Sequence, residues 1–385
     1  MNRKLRMGMV GGGRDAFIGA VHRMAANIDG KIELVCGAFS SDPKKSKVSG
    51  KDLMLPANRC YGSYQEMMEK EAALPEDERM DFVAIVTPNH MHYPVASAAL
   101  AAGFHVVCDK PVTFTLAEAK KLETEIKASK KLFCLTHNYT GNSMVKEARE
   151  LVKTGQLGKI RRVVVEYPQG WLAGDLEKTG QKQAAWRVDP KKAGISCCMG
   201  DIGTHCANLA EYIVGSPIKE LCSDLSTFVK GRKLDDDGNV LIRFRNGAKG
   251  VLWASQIAVG KENGLNIRVY GENGGIEWQQ EEPNSLVVRW TDKPMEIRRP
   301  GTDFISPAAA GVTRTPAGHP EGYLEAFANI YNNFADTLIG ELTGKRIKVA
   351  DRDYPTIKDG IRGMAFLEAV VQSSSSKSKW IQVKA

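Results

Sequence analysis

The chain has 385 residues, of which 43% are hydrophobic and 25% charged, with a formal net charge of +8. That length exceeds one ordinary hydrophobic core, so two domains are expected, and the composition is that of a soluble globular protein. The charge is modest and dispersed, and its densest stretches, Lys44-Lys45 and Lys377-Ser378-Lys379, are short; this argues against a nucleic-acid partner. No long apolar run or secretory leader is evident, so no membrane partner and a cytoplasmic location are expected. The eight cysteines form no C-x-x-C pair, and Cys36, Cys108 and Cys134 lie in apolar runs, as reduced, buried thiols do.

Strand-like and helix-like segments alternate through residues 1–139. Residues 5–12 (LRMGMVGG), 32–39, 80–88, 105–111 and 131–139 read as strands, and 18–28, 63–73, 93–103 and 115–130 as helices. The last helix opens on Thr115 with Glu118 three residues on, a capping box. This alternation predicts a Rossmann domain, a doubly wound parallel sheet covered on both faces. Ligands of such sheets lie at the carboxyl ends of the strands, here GGGRDAFIG, AFSSD, TPNHMH, DKP and THNY.

The first of these is not a clean G-x-G-x-x-G, because Gly19 comes three residues late. Its glycines still suit a dinucleotide: Gly11 for the tight turn, Gly13 for approach of backbone amides to a pyrophosphate, and Gly19 for close packing of helix on strand. Ser40, Ser41 and Asp42 occupy the place where an acid normally holds the adenosine ribose, with Lys44 and Lys45 beside them to accommodate a 2′-phosphate. Asp42 favours NAD, and NADP stays open. Thr87, Asn89, His92, Asp109 and Lys110, at later strand ends, complete the candidate cofactor contacts. In DKP, Pro111 stiffens the turn that aims Lys110 into the nicotinamide crevice. His90 and His92 stand two apart with no carboxylate at a helpful spacing, so no metal is expected.

A second domain is expected over 140–385. A helix at 143–160 and a strand at 161–171 precede a long polar loop, 172–194, in which Trp186 can stack on a ring and Arg187 can bind hydroxyls or an anion. A helix follows within 199–215. Beyond it the apolar period falls to two, with RNGAKG and GENGG as hairpin turns. This is an α+β domain with a large, mostly antiparallel open sheet. His319, before a helix near the C-terminus, is a candidate to line the pocket or to cap that helix, and Tyr139 is a similar pocket candidate. The tail 372–380 reads as a polar connector to a short terminal strand.

Asp201 and His205, in GDIGTH, stand four apart and share one face of a helix. A neutral imidazole can take the hydroxyl proton of a secondary alcohol while hydride leaves the same carbon. A lysine ammonium stabilises the developing alkoxide, and the aspartate can orient the substrate or the imidazole. The plainer alternative makes Asp201 an N-cap and His205 a partly buried residue.

The glycine-rich first turn, TPNHMH at 87–92, DKP at 109–111 and GDIGTH at 200–205 together resemble the Gfo/Idh/MocA family of nicotinamide-dependent sugar and cyclitol oxidoreductases. They occur in that family's order, over nearly the whole chain. DKP stands where the family usually has E-K-P, and the insertion Asp15-Ala16-Phe17 marks a subgroup. The resemblance implies that Lys110 contacts the substrate hydroxyl beside His205, that Asp201 and His205 are the family's pair, and that Asn89 lies near the cofactor ribose. Gly200 and Gly203 would let a sugar ring and the nicotinamide approach the helix start. It further implies a homodimer or homotetramer formed through the C-terminal sheet. The implied activity is hydride transfer between NAD(P) and a secondary hydroxyl of a pyranose, glycoside or cyclitol, with C3 oxidation of glucosides to 3-keto-glucosides an attractive case. A redox-neutral glycoside hydrolase is the alternative, acting by transient C3 oxidation, elimination, hydration and re-reduction with Tyr139 or His205 as the extra base. A non-enzymatic sensor would lack Lys110 or His205, and both are present.

Overall fold

The computed structural model describes residues 3–14 and 16–385; Asp15, the first residue of the insertion, lies outside the described residues. Contacts divide the chain into two compact units, Met1–Thr136 with Phe327–Gly360, and His137–Ala326 with Ile361–Ala385.

The first unit alternates β1 (Leu5–Gly11), α1 (Phe17–Ile28), β2 (Ile32–Ala38), α2 (Pro43–Asp52), α3 (Tyr64–Ala72), β3 (Phe82–Val86), α4 (His92–Ala101), β4 (His105–Cys108), α5 (Leu116–Ser129) and β5 (Phe133–Leu135). The strands form a parallel sheet in the order β2-β1-β3-β4-β5. Every residue of β3 is buried, as expected for a central strand covered on both faces. The capping box at Thr115 and Glu118 is present. Helix α2 was not anticipated, because PKKSKVSGKD has little apolar periodicity. It forms because Asp42 caps it and Pro43 opens it.

The second unit contains α6 (Ser143–Lys153), β6 (Arg162–Pro168), α7 (Lys182–Arg187), α8 (Pro190–Ala193), α9 (Thr204–Val214), β7 (Ile218–Ser226), β8 (Asp237–Phe244), β9 (Lys249–Ser255), β10 (Asn266–Tyr270), β11 (Gly274–Gln279), β12 (Glu282–Trp290), β13 (Glu296–Arg298) and α10 (Pro307–Ala310). After α11 (Tyr323–Thr343) come α12 (Ile357–Ser375) and β14 (Ile381–Gln382). Nine strands form one sheet, β13-β12-β11-β10-β6-β9-β8-β7-β14. Only β6 and β9 pair in parallel; all other neighbours are antiparallel. Alternation sends Val240, Ile242 and Phe244 of β8 inward, toward the face that α6 and α9 cover.

Residues 327–360 return to the first unit, so a single cut at 139/140 does not describe the chain. The cause is one face of α11. Phe327, Tyr331 and Phe334 are buried there, with Phe327 edge-on to His22 at 4.7 Å and Phe334 edge-on to Phe82 at 5.2 Å. The tail also differs from expectation. Residues 372–375 continue α12, and Ser373 and Ser374 accept the backbone N–H groups of Ser223 and Leu225 in β7. The expected terminal strand is present as β14, paired with β7.

Gly19 brings α1 against the first turn. A Cβ at this position would lie 2.3 Å from the Gly12 Cα and 2.5 Å from the Gly12 oxygen. Because both are backbone atoms, Gly19→Ala must displace the helix. We expect a loss of about 2 kcal/mol, read as a lowered urea midpoint; an unchanged midpoint would contradict this packing.

Candidate functional site

In the first unit the glycine turn follows β1 with Gly11 at φ +85° and Gly12 at φ +70°, both left-handed. Gly11 behaves as expected, whereas Gly12 was not singled out. Gly13 is glycine for another reason than the one expected. Its amide donates to the Phe39 carbonyl at 3.2 Å, and a Cβ would meet Ser49 Oγ at 2.7 Å. It fits the turn against the end of β2. Among the described residues no side chain caps the start of α1, which suits an anion in front of the helix. At the end of β3 the Thr87 hydroxyl is buried without a hydrogen-bond partner among the described residues. The open helix start, the tight glycine turn and this hydroxyl fit a dinucleotide.

The remaining candidates in this unit divide between display and bracing. Asp42 Oδ1 accepts the N–H groups of Lys44 and Lys45, at 2.8 and 3.2 Å, so Asp42 works as the cap of α2. Ser40 accepts the Asp42 amide, and Ser41 is exposed. Asn89 is buried at the start of a 3-10 turn. His92 is buried with Nδ1 2.6 Å from the Pro111 oxygen and Nε2 2.8 Å from the Thr87 oxygen. It sits between the end of β3 and the DKP turn and braces them, and burial lowers its pKa. Asp109 Oδ1 accepts the Lys110 amide at 2.8 Å and the Thr136 hydroxyl at 3.0 Å, while Oδ2 lies 3.8 Å from His22 Nε2. Burial pushes the Asp109 pKa up, but His22, Lys110 and His92 outweigh it and hold the carboxyl well below the usual range. Asp109 therefore anchors the turn that presents half-buried Lys110.

In the second unit, residues Met199–Gly203 form one π-helical turn that runs into α9. The sequence reading had only an ordinary helix here. Asp235 pins the turn: its buried carboxylate accepts the amides of Cys197 and Met199 at 3.0 and 2.9 Å, and its carbonyl accepts that of Cys198. Burial raises its pKa, against the pull of these hydrogen bonds. Asp201 caps no helix. Its Oδ2 accepts Arg187 Nε and Gln256 Nε2, each at 2.9 Å. The loop expected at 172–194 has folded into α7 and α8, and Arg187 stacks 4.3 Å from the Trp186 ring and 5.7 Å from Trp171. One face of Trp186 is thus occupied by Arg187. Of the two glycines, Gly203 is the more crowded, since a Cβ would meet the movable Met199 Sδ at 2.5 Å; at Gly200 the nearest atom is 3.7 Å away.

His205 is buried in the first turn of α9. Its Nδ1 lies 3.5 Å from His137 Nδ1, and its ring is edge-on to Tyr139 at 4.9 Å. Tyr139 and Tyr167 hydroxyls are 2.6 Å apart, and Tyr167 donates to Asn263 Oδ1 at 2.7 Å. With the Tyr167 proton directed to Asn263, Tyr139 is the donor of the pair. Burial raises both phenol pKa values, so Tyr139 is a poor base. His319 is exposed, with Nδ1 against the Pro316 carbonyl of its own loop at 3.2 Å, and it caps no helix. The second unit therefore brings Tyr139, Trp186, Arg187, Asp201 and His205 into one network. Sequence reasoning missed His137, Tyr167, Asp235 and Gln256. His137 stood in the quoted THNY, two residues before Tyr139; the others carry no local signal.

Residues 5–137 match the oxidoreductase family with an NAD-binding Rossmann fold, and residues 145–277 match the GFO/IDH/MocA C-terminal domain. An uncharacterized oxidoreductase of Bacillus subtilis, YfiI, is 35% identical over 100% of this chain and 98% of its own. The chain belongs to the Gfo/Idh/MocA oxidoreductase family. This family member shares 36% identity and a TM-score of 0.95 with an inositol dehydrogenase homologue of Azotobacter vinelandii solved with NAD+, covering 99% of this chain and 98% of that one. The structure of that homologue with NADH and myo-inositol matches at 35% identity and a TM-score of 0.92, over 99% of this chain and 98% of that one. Levoglucosan dehydrogenase of Pseudarthrobacter phenanthrenivorans is 26% identical over 99% of this chain and 98% of its own. The protein is accordingly an oxidoreductase whose first domain takes NAD. No described helix is long and apolar enough to cross a membrane.

Asp235→Ala would strand two buried amides. We expect it to cost at least about 2 kcal/mol in chemical denaturation and to lower turnover together with stability. Unchanged stability would contradict the pinning of the π turn.

Proposed function

We propose that this oxidoreductase transfers hydride between NAD and a secondary hydroxyl of a cyclitol or pyranose, with a myo-inositol-like polyol as the leading substrate class. The observation carrying this reading is a buried imidazole, His205, one turn beyond a carboxylate, Asp201, that Arg187 and Gln256 already orient. The likeness to the homologue solved with myo-inositol supports the polyol.

In this reading His205, as a neutral imidazole, takes the proton of the reacting hydroxyl. The Lys110 ammonium stabilises the negative charge that develops on its oxygen. Asp201, held through Oδ2, orients neighbouring substrate hydroxyls. The glycine turn, the start of α1 and Thr87 would hold NAD+, with Ser40 and Ser41 available to its adenosine end, and the cofactor would supply the hydride acceptor. C3 oxidation of a glucoside falls within the same chemistry. The hydrolytic alternative gains nothing from Tyr139, whose hydroxyl proton is engaged and whose pKa is raised.

The test is a panel of cyclitols, pyranoses and glucosides assayed with NAD+ for wild type, Lys110→Ala and His205→Ala. Each variant is expected to lose at least about 100-fold in kcat while still binding NAD. Near-normal turnover in either would remove its assigned role.

We also infer that the uncovered face of the nine-stranded sheet meets a second copy of the chain. One row of residues crosses that face in register: Cys222, Leu241, Val251, Val164, Arg268, Glu277, Val287 and Ile297. Leu241 and Ile297 are 48% and 54% exposed, and a row that is apolar at six of its eight positions favours self-association. Leu241→Glu is expected to shift the mass in light scattering from dimer or tetramer toward monomer. A monomeric wild type would contradict the inference.

A further inference from the structure

We propose that His137 is a positioning residue that fixes the tautomer of His205 and accepts its Nδ1 proton once the substrate proton has arrived at Nε2. This rests on the reading of His205 as the base. His137 and His205 are 2% and 7% exposed, and their rings meet at 82° with Nδ1 facing Nδ1 at 3.5 Å.

A neutral imidazole has one N–H and one lone pair. In an Nδ1-to-Nδ1 contact only one ring can donate, and the direction decides the chemistry. If His137 donates, His205 carries its own proton on Nε2, and the nitrogen that must deprotonate the hydroxyl is blocked. If His205 donates, its Nε2 keeps the lone pair. Base function therefore selects His205 with its proton on Nδ1 and His137 with its proton on Nε2.

The same contact accommodates the proton once it is taken. It enters the pair at His205 Nε2, and the Nδ1–H of the resulting imidazolium then points at the His137 lone pair. Passing that second proton to His137 Nδ1 leaves His205 neutral and His137 charged. The pair gains one proton in all. A second is disfavoured, because two buried cations would face each other at this distance.

The groups around the pair suit this arrangement. Tyr139 and Tyr167 pack their rings against His205, and their hydroxyls serve each other and Asn263. The Tyr323 ring lies 6.4 Å from Tyr139. Asp201 is paired with Arg187. Cys206, next to His205 in the chain, is buried and its thiol is pushed well up by burial.

The direct test is NMR of the NAD-bound enzyme labelled with 15N in its histidine rings, assigned with His137→Gln and His205→Asn. The expected result is a proton on His205 Nδ1 and none on Nε2; the reverse tautomer overturns the proposal. Kinetics supply the second readout. His137→Leu is expected to lower kcat at least about 10-fold with KM and NAD affinity nearly unchanged. The acidic limb of its kcat/KM profile should move to lower pH, because the His205 imidazolium loses its acceptor. His137→Gln, whose amide oxygen can accept from Nδ1–H, should recover most of the rate. If His205→Ala is inactive while His137→Leu keeps the wild-type rate and pH profile, this proposal fails and the role of His205 stands. If His205→Ala stays active, the underlying reading fails instead. Should His137→Leu not fold, the NMR result and His137→Gln decide.

Discussion

The second unit depends on a buried carboxylate pinning a widened helical turn. Asp235 takes the amides of Cys197 and Met199, and the chain then makes one π turn before tightening into α9. Single π turns inserted ahead of α-helices are frequent at functional sites, and the reason is visible here. Asp201 is turned toward Arg187 and Gln256, while His205 is turned toward His137 and Tyr139. The polar groups around them are largely satisfied by one another, so the site is formed in advance and little side-chain ordering is left for substrate binding.

The first unit builds its presentation of Lys110 by a different route. Asp109 and His92, both within the motifs that suggest cofactor contact, brace the backbone. The His92 ring lies between two carbonyls and donates to one of them, and Asp109 gathers the Lys110 amide, the Thr136 hydroxyl and the edge of His22. In both units a residue type associated with chemistry supports the residue beside it, and the supporting shell sets the precision of the site.

The sheet of the first unit was legible because parallel strands leave continuous apolar runs that strand length and spacing identify. Helix α2 was not, since it rests on a cap and a proline, with little apolar periodicity. Asp42 shows the limit of local reading: an acid after β2 suits a ribose or a helix start equally, and the fold brings out the second use. The π turn was hidden because five residues of α and π helix have nearly the same pattern. The return of 327–360 to the first unit was hidden because an amphipathic helix does not encode which sheet it will cover. His205 and Asp201 were singled out by spacing and by resemblance. Their partners His137, Asp235 and Gln256 are set by tertiary contacts, which leave no mark at short range.

The central claim is net oxidation of an alcohol at the site of His205. Its most direct measurement is the stoichiometry of NADH to product when the purified enzyme meets NAD+ and a polyol or glucoside, with product mass determined alongside. The account predicts one NADH formed for each substrate molecule that loses two hydrogens. Release of an aglycone with no net change in NADH would contradict it and assign the site to redox-neutral hydrolysis.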